Sequence, residues 1–177
     1  MDYRISPQLA AFTMTLLRCG ERYLMLQRAG HKTFAPGRWT GLGGRVEPDE
    51  FDDLRAAALR EIQEETGIEP AEIQNLMLRR SLLQQRPGYP LTLLLYFTGN
   101  LDNPKTPVCD EGTLHWLTAK EIESVDVIEN TRVVIPHLIN DLEKDPEGDN
   151  AVVPGVADFS IDGTLTSVQW TLTTPGH

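Results

Sequence analysis

Apolar and polar positions alternate along the chain in blocks, and the period of each block predicts an element. Two apolar runs, Leu9 to Arg18 and Tyr23 to Gln27, flank Cys19-Gly20-Glu21 and predict a β-hairpin. The stretch from His31 to Gly44 is rich in Gly and Pro and predicts a loop. From Phe51 to Thr66 the apolar residues Phe51, Leu54, Ala58 and Ile62 recur at helical spacing among Ala, Glu, Leu and Arg, and Gly67 follows as a stop. Further strands are expected at Ile73 to Leu83, Leu91 to Thr98 and Thr113 to Leu117, and a second helix from Thr131 to Glu143. Near the end, Ala157 to Ile161 and Thr164 to Leu172 alternate around Asp162-Gly163, a dipeptide suited to a type I′ turn, so a second hairpin closes the chain. Strands and helices mix without a regular βαβ repeat, which predicts an α+β or layered mixed-sheet architecture.

Length keeps this pattern within one domain, residues 1–177. The acidic, turn-rich segment Asp145 to Asn150 reads as a loop inside it, because too few residues follow to fold alone. With 16 Lys+Arg against 26 Asp+Glu the net charge is −10, which repels a phosphate backbone over most of the surface and argues against a nucleic-acid polymer as partner. No apolar run approaches the ~18 residues of a spanning helix, so no membrane partner is expected. The apolar run Leu9 to Leu17 is broken by Thr13 and Thr15, preceded by Asp2 and followed by charged residues, and reads as a buried strand rather than a signal peptide. Two cysteines, Cys19 and Cys109, make no disulfide framework, and a reducing, cytoplasmic location is expected.

On the first helix, Glu61, Glu64 and Glu65 share an arc of about 100° that overlaps the edge of the apolar stripe. Carboxylates crowded beside a core need a cation. Arg60 reaches Glu64 at i+4 and makes the cluster an ordinary charged face; alternatively, a divalent metal such as Mg²⁺ is held by the carboxylates together with substrate phosphates. Just upstream, Gly41-Leu42-Gly43-Gly44 lets backbone groups approach a ligand without side-chain obstruction.

Gly44 to Ile68, GRVEPDEFDDLRAAALREIQEETGI, resembles the Nudix box, G-x5-E-x7-R-E-U-x-E-E-x-G-U, where U is a bulky apolar residue. Arg60, Glu61, Ile62, Glu64, Glu65, Gly67 and Ile68 match the second half, and Gly44 and Glu50 the first. Nine residues separate Glu50 from Arg60 where the pattern has seven, so two are added at the loop-to-helix junction. Asp52 stands at the acidic position when counted back from Arg60. A helix beginning near Phe51 leaves Glu50 in the loop and Asp52 in the first turn, which favours Glu50 as the residue that supports Arg60.

The resemblance implies a Nudix-type α/β/α sandwich with a mixed central sheet and a C-terminal β-hairpin, and hydrolysis of a diphosphate linkage with Mg²⁺, for which Mn²⁺ substitutes. It assigns Glu64, Glu65 and the Gly43 carbonyl as metal ligands, Glu61 as a ligand or the base that activates water, and Arg60 as the group that orients the glutamates. Glu111, ahead of His115-Trp116-Leu117, is an extra ligand or alternative base, or else a solvated loop residue. Trp116 stacks on a base or belongs to the core. Trp39-Thr40-Gly41-Leu42-Gly43-Gly44 is similar to a segment of MutT-like, oxidised-purine nucleoside triphosphate diphosphatases, although Thr40 replaces a base-reading Asn and offers no paired amide donor and acceptor. Asn130 reads a base or caps the second helix. Arg28 and Lys32 meet phosphates or are surface charges. The expected partner is a small-molecule nucleotide, with the protein a monomer or homodimer. Expected activities are nucleoside triphosphate cleavage to monophosphate and pyrophosphate, hydrolysis of ADP-ribose or a similar derivative, or binding without cleavage as a regulatory module.

Overall fold

The computed structural model describes residues 9–104 and 109–171. Strand β1 (Leu9–Cys19) turns at Gly20, whose φ of 58° suits glycine, into β2 (Arg22–Arg28), as the hairpin pattern requires. The two strands pair only beside the turn, at Arg18 with Tyr23 and Cys19 with Arg22. Beyond it β2 leaves β1 and pairs antiparallel with β3 (Trp39–Thr40) and with β6 (Gly112–Thr118). On its other side β1 runs parallel to β5 (Leu91–Asn100), from Leu9 opposite Leu91 to Arg18 opposite Asn100. Next come β4 (Gln74–Gln84), antiparallel to β5, then β7 (Val153–Phe159), parallel to β4, and β8 (Leu165–Trp170) at the edge. The eight strands form one mixed sheet.

Alternation along β1 and β5 sends side chains into two cores. Ala11 and Leu17 with Leu95 and Phe97 face helix α1 (Leu54–Thr66), which contributes Ala57, Ala58 and Ile62. Met14 and Leu16 with Tyr96 face helix α3 (Glu129–Lys144), which contributes Val134, Ile135, Leu138 and Leu142. A short helix α2 (Ala119–Glu123) follows β6 and starts on a capping box between Thr118 and Glu121. The result is the expected α/β/α layering, with α1 and α3 on opposite faces.

The boundaries that bear on the site and the closing hairpin differ from the pattern as follows. Helix α1 begins at Leu54 rather than Phe51, because Asp53 is the N-cap and its carboxylate accepts the Ala56 N–H at 3.0 Å. Phe51 stays largely exposed, and Asp52 lies before the helix instead of in its first turn. Helix α3 begins at Glu129, two residues early, so Asn130 is inside the first turn and not the cap, which is Ile128. Strand β7 begins at Val153 and ends at Phe159; the next turn is closed by Gly163 N–H to Ser160 O at 2.9 Å, and among its residues only Gly163 takes positive φ, 82°, so it is not type I′. Leu172, placed in the last strand by the pattern, lies outside the described residues.

Candidate active site

The splaying of β2 from β1 opens a gap, and the Gly-rich segment fills it. Leu42 exchanges backbone hydrogen bonds with Thr15, the Thr13 N–H donates to Gly44 O at 2.8 Å, and the Val46 N–H to Ala11 O at 2.9 Å. Gly43 takes φ of 142°, and a Cβ there would overlap the Thr13 carbonyl. A Cβ on Gly44 would overlap the Glu61 carboxylate. These two glycines therefore let backbone and carboxylates of α1 come into direct contact.

Each carboxylate of the helix has a distinct setting. Glu65, 9% exposed, accepts the Gly43 N–H at 2.8 Å. Burial pushes its carboxyl up to about 8, the Gly43 N–H opposes this, and the charges of Glu61 and Glu111 add to it. Glu61, pressed against Gly44, is also raised by burial, with Arg60 opposing. Glu64 lies on the outer side of the helix. Arg60 gathers the rest: it donates to Glu50 Oε1 at 2.6 Å and Oε2 at 2.9 Å, to Glu61 at 2.8 Å, to Glu64 at 3.0 Å and to the Arg45 carbonyl at 3.0 Å. The fork on Glu50 holds that carboxyl well down, at about 2. Among the described residues no group of three or more His, Cys, Asp or Glu side chains forms a ready-made metal cage, because the guanidinium draws Glu61 and Glu64 toward itself while Glu65 turns inward. The donor set nevertheless suits a hard divalent cation: a buried carboxylate held above its usual range lies against a backbone that carries no Cβ, with a second carboxylate beside it.

The other residues named from the sequence fall into two groups. Near Glu65, Arg28 lowers its carboxyl electrostatically while donating to Phe34 O at 3.0 Å, and Lys32 pairs with Glu111 at 2.5 Å. On the α3 face, the Thr40 and Thr131 hydroxyls stand 3.4 Å apart, and Asn130 Oδ1 accepts the Thr131 N–H at 2.8 Å. Trp116 packs against the α1-side core. The aromatic pair on the opposite face is one the sequence did not suggest: Trp39 and His115, ring centroids 5.1 Å apart. Arg38 was likewise missed. It donates to Glu129 at 2.7 Å and to Val127 O at 2.8 Å, fastening the start of α3 beside β3. The signal for Trp39 and His115 was period-two alternation, which sets His115 on the opposite side of β6 from Trp116. Two open concavities of about 350 and 390 Å³ lie beside the β1–β2 turn and contain none of the α1 carboxylates.

A mixed sheet between two helices, with a glycine-backed carboxylate helix at the open end of β1 and β2, is the architecture that the resemblance of the sequence implies. Residues 7–138 match the family model described as NUDIX domain, and the chain belongs to that family, hydrolases of pyrophosphate linkages that generally use divalent metal ions. A curated relative, the NAD-capped RNA hydrolase NudC of Chromobacterium violaceum, is 38% identical over 96 residues, which is 54% of this chain and 32% of that protein. The chain thus spans about a third of the length of that relative. Among solved structures, a MutT protein from Bacillus halodurans superposes with a TM-score of 0.66 at 18% identity, covering 92% of this chain and 97% of that one. The dihydroneopterin triphosphate pyrophosphohydrolase of E. coli gives 0.61 at 22%, covering 74% and 95%. A bifunctional NMN adenylyltransferase/ADP ribose pyrophosphatase from Francisella tularensis gives 0.62 at 20%, covering 77% and 42%. These likenesses concern the fold. Among the described residues no helix is long and apolar enough to cross a membrane.

Proposed function

We propose that this chain hydrolyses a nucleoside triphosphate to a nucleoside monophosphate and pyrophosphate, with Mg²⁺ or Mn²⁺ held by Glu61, Glu64, Glu65 and the Gly43 carbonyl. The observation that carries the reading is that Glu65 accepts the Gly43 N–H while the Glu61 carboxylate lies against Gly44, so two helix carboxylates meet the same Gly-rich backbone. When bound, the metal supplies charge neutralisation and an acidified water. Glu61 takes a proton from the attacking water, Arg60 and Glu50 hold Glu61 and Glu64 in place, and Arg28 and Lys32 face the phosphates. Glu111 serves as an additional ligand or base. The base lies on the α3 face near Trp39, Thr40 and Asn130, where Asn130 has committed its carbonyl oxygen to Thr131 and offers its amide N–H groups. Trp116 supports the α1 side of the site as core. A second reading, cleavage of a nucleoside diphosphate derivative such as ADP-ribose, is favoured by the pyrophosphatase among the structural neighbours and by the relative acting on NAD-capped RNA. A hydrolysis panel of nucleoside triphosphates, oxidised purine nucleotides and ADP-ribose with Mg²⁺ separates them: pyrophosphate release from a triphosphate is expected, and turnover confined to ADP-ribose would establish the second reading instead.

A further inference from the structure

We propose that Lys32 is a shared cation that holds Glu111 in the free protein and passes to the phosphates of an arriving substrate, so that capture frees the Glu111 carboxylate to turn toward the α1 carboxylates. The inference rests on the site being the nucleotide-hydrolase site argued above.

The pair is built on a fixed backbone. The Ala29 N–H donates to Glu111 O at 2.9 Å and the Lys32 N–H to Ala29 O at 3.1 Å, so the two side chains rise from segments bonded to one another. Lys32 Nζ and Glu111 Oε1 meet at 2.5 Å, with side chains 24% and 42% exposed. A Lys stem carries several rotatable bonds, so the pair opens by side-chain rotation alone.

The neighbouring cations are committed differently. Arg28 donates to Phe34 O and lies over the Phe34 ring, 5.7 Å from its centroid. Arg60 and Arg38 are each divided among several acceptors. Lys32 instead meets one half-exposed carboxylate, and such pairs are worth only about 0–1 kcal/mol. A polyphosphate presents more charge and more acceptor oxygens than one carboxylate, so exchange favours the substrate. Glu111 is close enough for its charge to act on Glu65 and on Cys109. Its pairing with Lys32 therefore mutes repulsion among the carboxylates until phosphate arrives.

The test is a double-mutant cycle read by NMR titration with inorganic pyrophosphate in chelating buffer, which keeps metal ligation out of the measurement. Glu111→Gln releases Lys32 and should tighten pyrophosphate binding about two- to fivefold, the range set by an exposed pair. Lys32→Met should weaken it, and in that background Glu111→Gln should have no further effect. Lys32→Arg should restore the dependence on Glu111. Equal tightening by Glu111→Gln with and without Lys32 would show simple charge relief and overturn the exchange, as would absence of pyrophosphate binding to the wild type. A protein that hydrolyses no nucleotide yet keeps the coupling would refute the functional reading and leave the exchange standing.

Discussion

Glu65 concentrates the physical cost of this site in one side chain. Its carboxyl, buried at the junction of α1 and the Gly-rich segment, is pushed up to about 8 chiefly by loss of solvent. The folded metal-free protein therefore binds a proton that the unfolded chain has already released above its ordinary carboxylate range. Stability from this group is fully present below about 4.5 and is lost as pH rises toward about 8, on the order of a few kcal/mol. Thermal unfolding in chelator should show the wild type losing midpoint relative to Glu65→Gln across that interval, since Gln still accepts the Gly43 N–H but does not ionise. A constant difference between the two proteins from pH 5 to 8 would contradict the burial argument. Arg60 is the complementary case: the sequence allowed it to pair with Glu64 or to orient the cluster, and the structure shows both contacts together with a fork on Glu50.

At the scale of elements, the acidic residues between Glu50 and Asp53 lie in the turn before α1, and the helix runs unbroken from Leu54 to Thr66. Asp53 caps the helix, Asp52 stands exposed outside it, and Glu50 reaches back to Arg60. Three acidic residues in four positions thus carry different expectations. Asp53→Ala should cost about 1 kcal/mol of stability as a lost N-cap. Glu50→Gln should lower kcat more than Asp52→Asn, because it loosens the guanidinium that holds Glu61 and Glu64. Steady-state kinetics and thermal midpoints for the three variants check this, and an Asp52→Asn enzyme slower than Glu50→Gln would contradict it. The long periodic elements were legible in the sequence because burial alone dictates their pattern. The rest depended on interactions that pattern does not encode. Strand β3 is two residues in a Gly/Pro-rich stretch, held by pairing with Leu26 and Gln27. The short helix α2 was announced only by Thr118 and Glu121 at capping-box spacing. In β4, a register irregularity between Leu78 and Arg80 buries two consecutive arginines, which then reach Asp145 and Asp141 of the α3 end at 2.9 and 2.8 Å. Strict alternation would have sent one of them to the opposite face of the sheet.

Over the whole molecule, the sheet converts local pattern into a site. The parting of β1 and β2 admits the Gly-rich segment, α1 lays its carboxylates against it from one face, and α3 brings Asn130 and Thr131 to Thr40 from the other. The carboxylate half of this arrangement was visible in the sequence as a spaced motif, since the Gly-rich segment and the helix glutamates lie within one short stretch. On the α3 side the sequence singled out Thr40 and Asn130 one by one, and only the fold brings Thr40 to Thr131 and Trp39 to His115. With a net charge of −10, an anionic substrate of the proposed kind would depend on a few local cations and on a bound metal. The most direct measurement is turnover of a nucleoside triphosphate in chelated buffer back-titrated with Mg²⁺, products resolved by chromatography, for wild type and Glu65→Gln. The proposed function requires no turnover without metal, saturable release of monophosphate and pyrophosphate on addition, and a kcat lower by at least ~10²-fold in the variant. Undiminished hydrolysis in chelator, or a wild-type rate in folded Glu65→Gln, would contradict it.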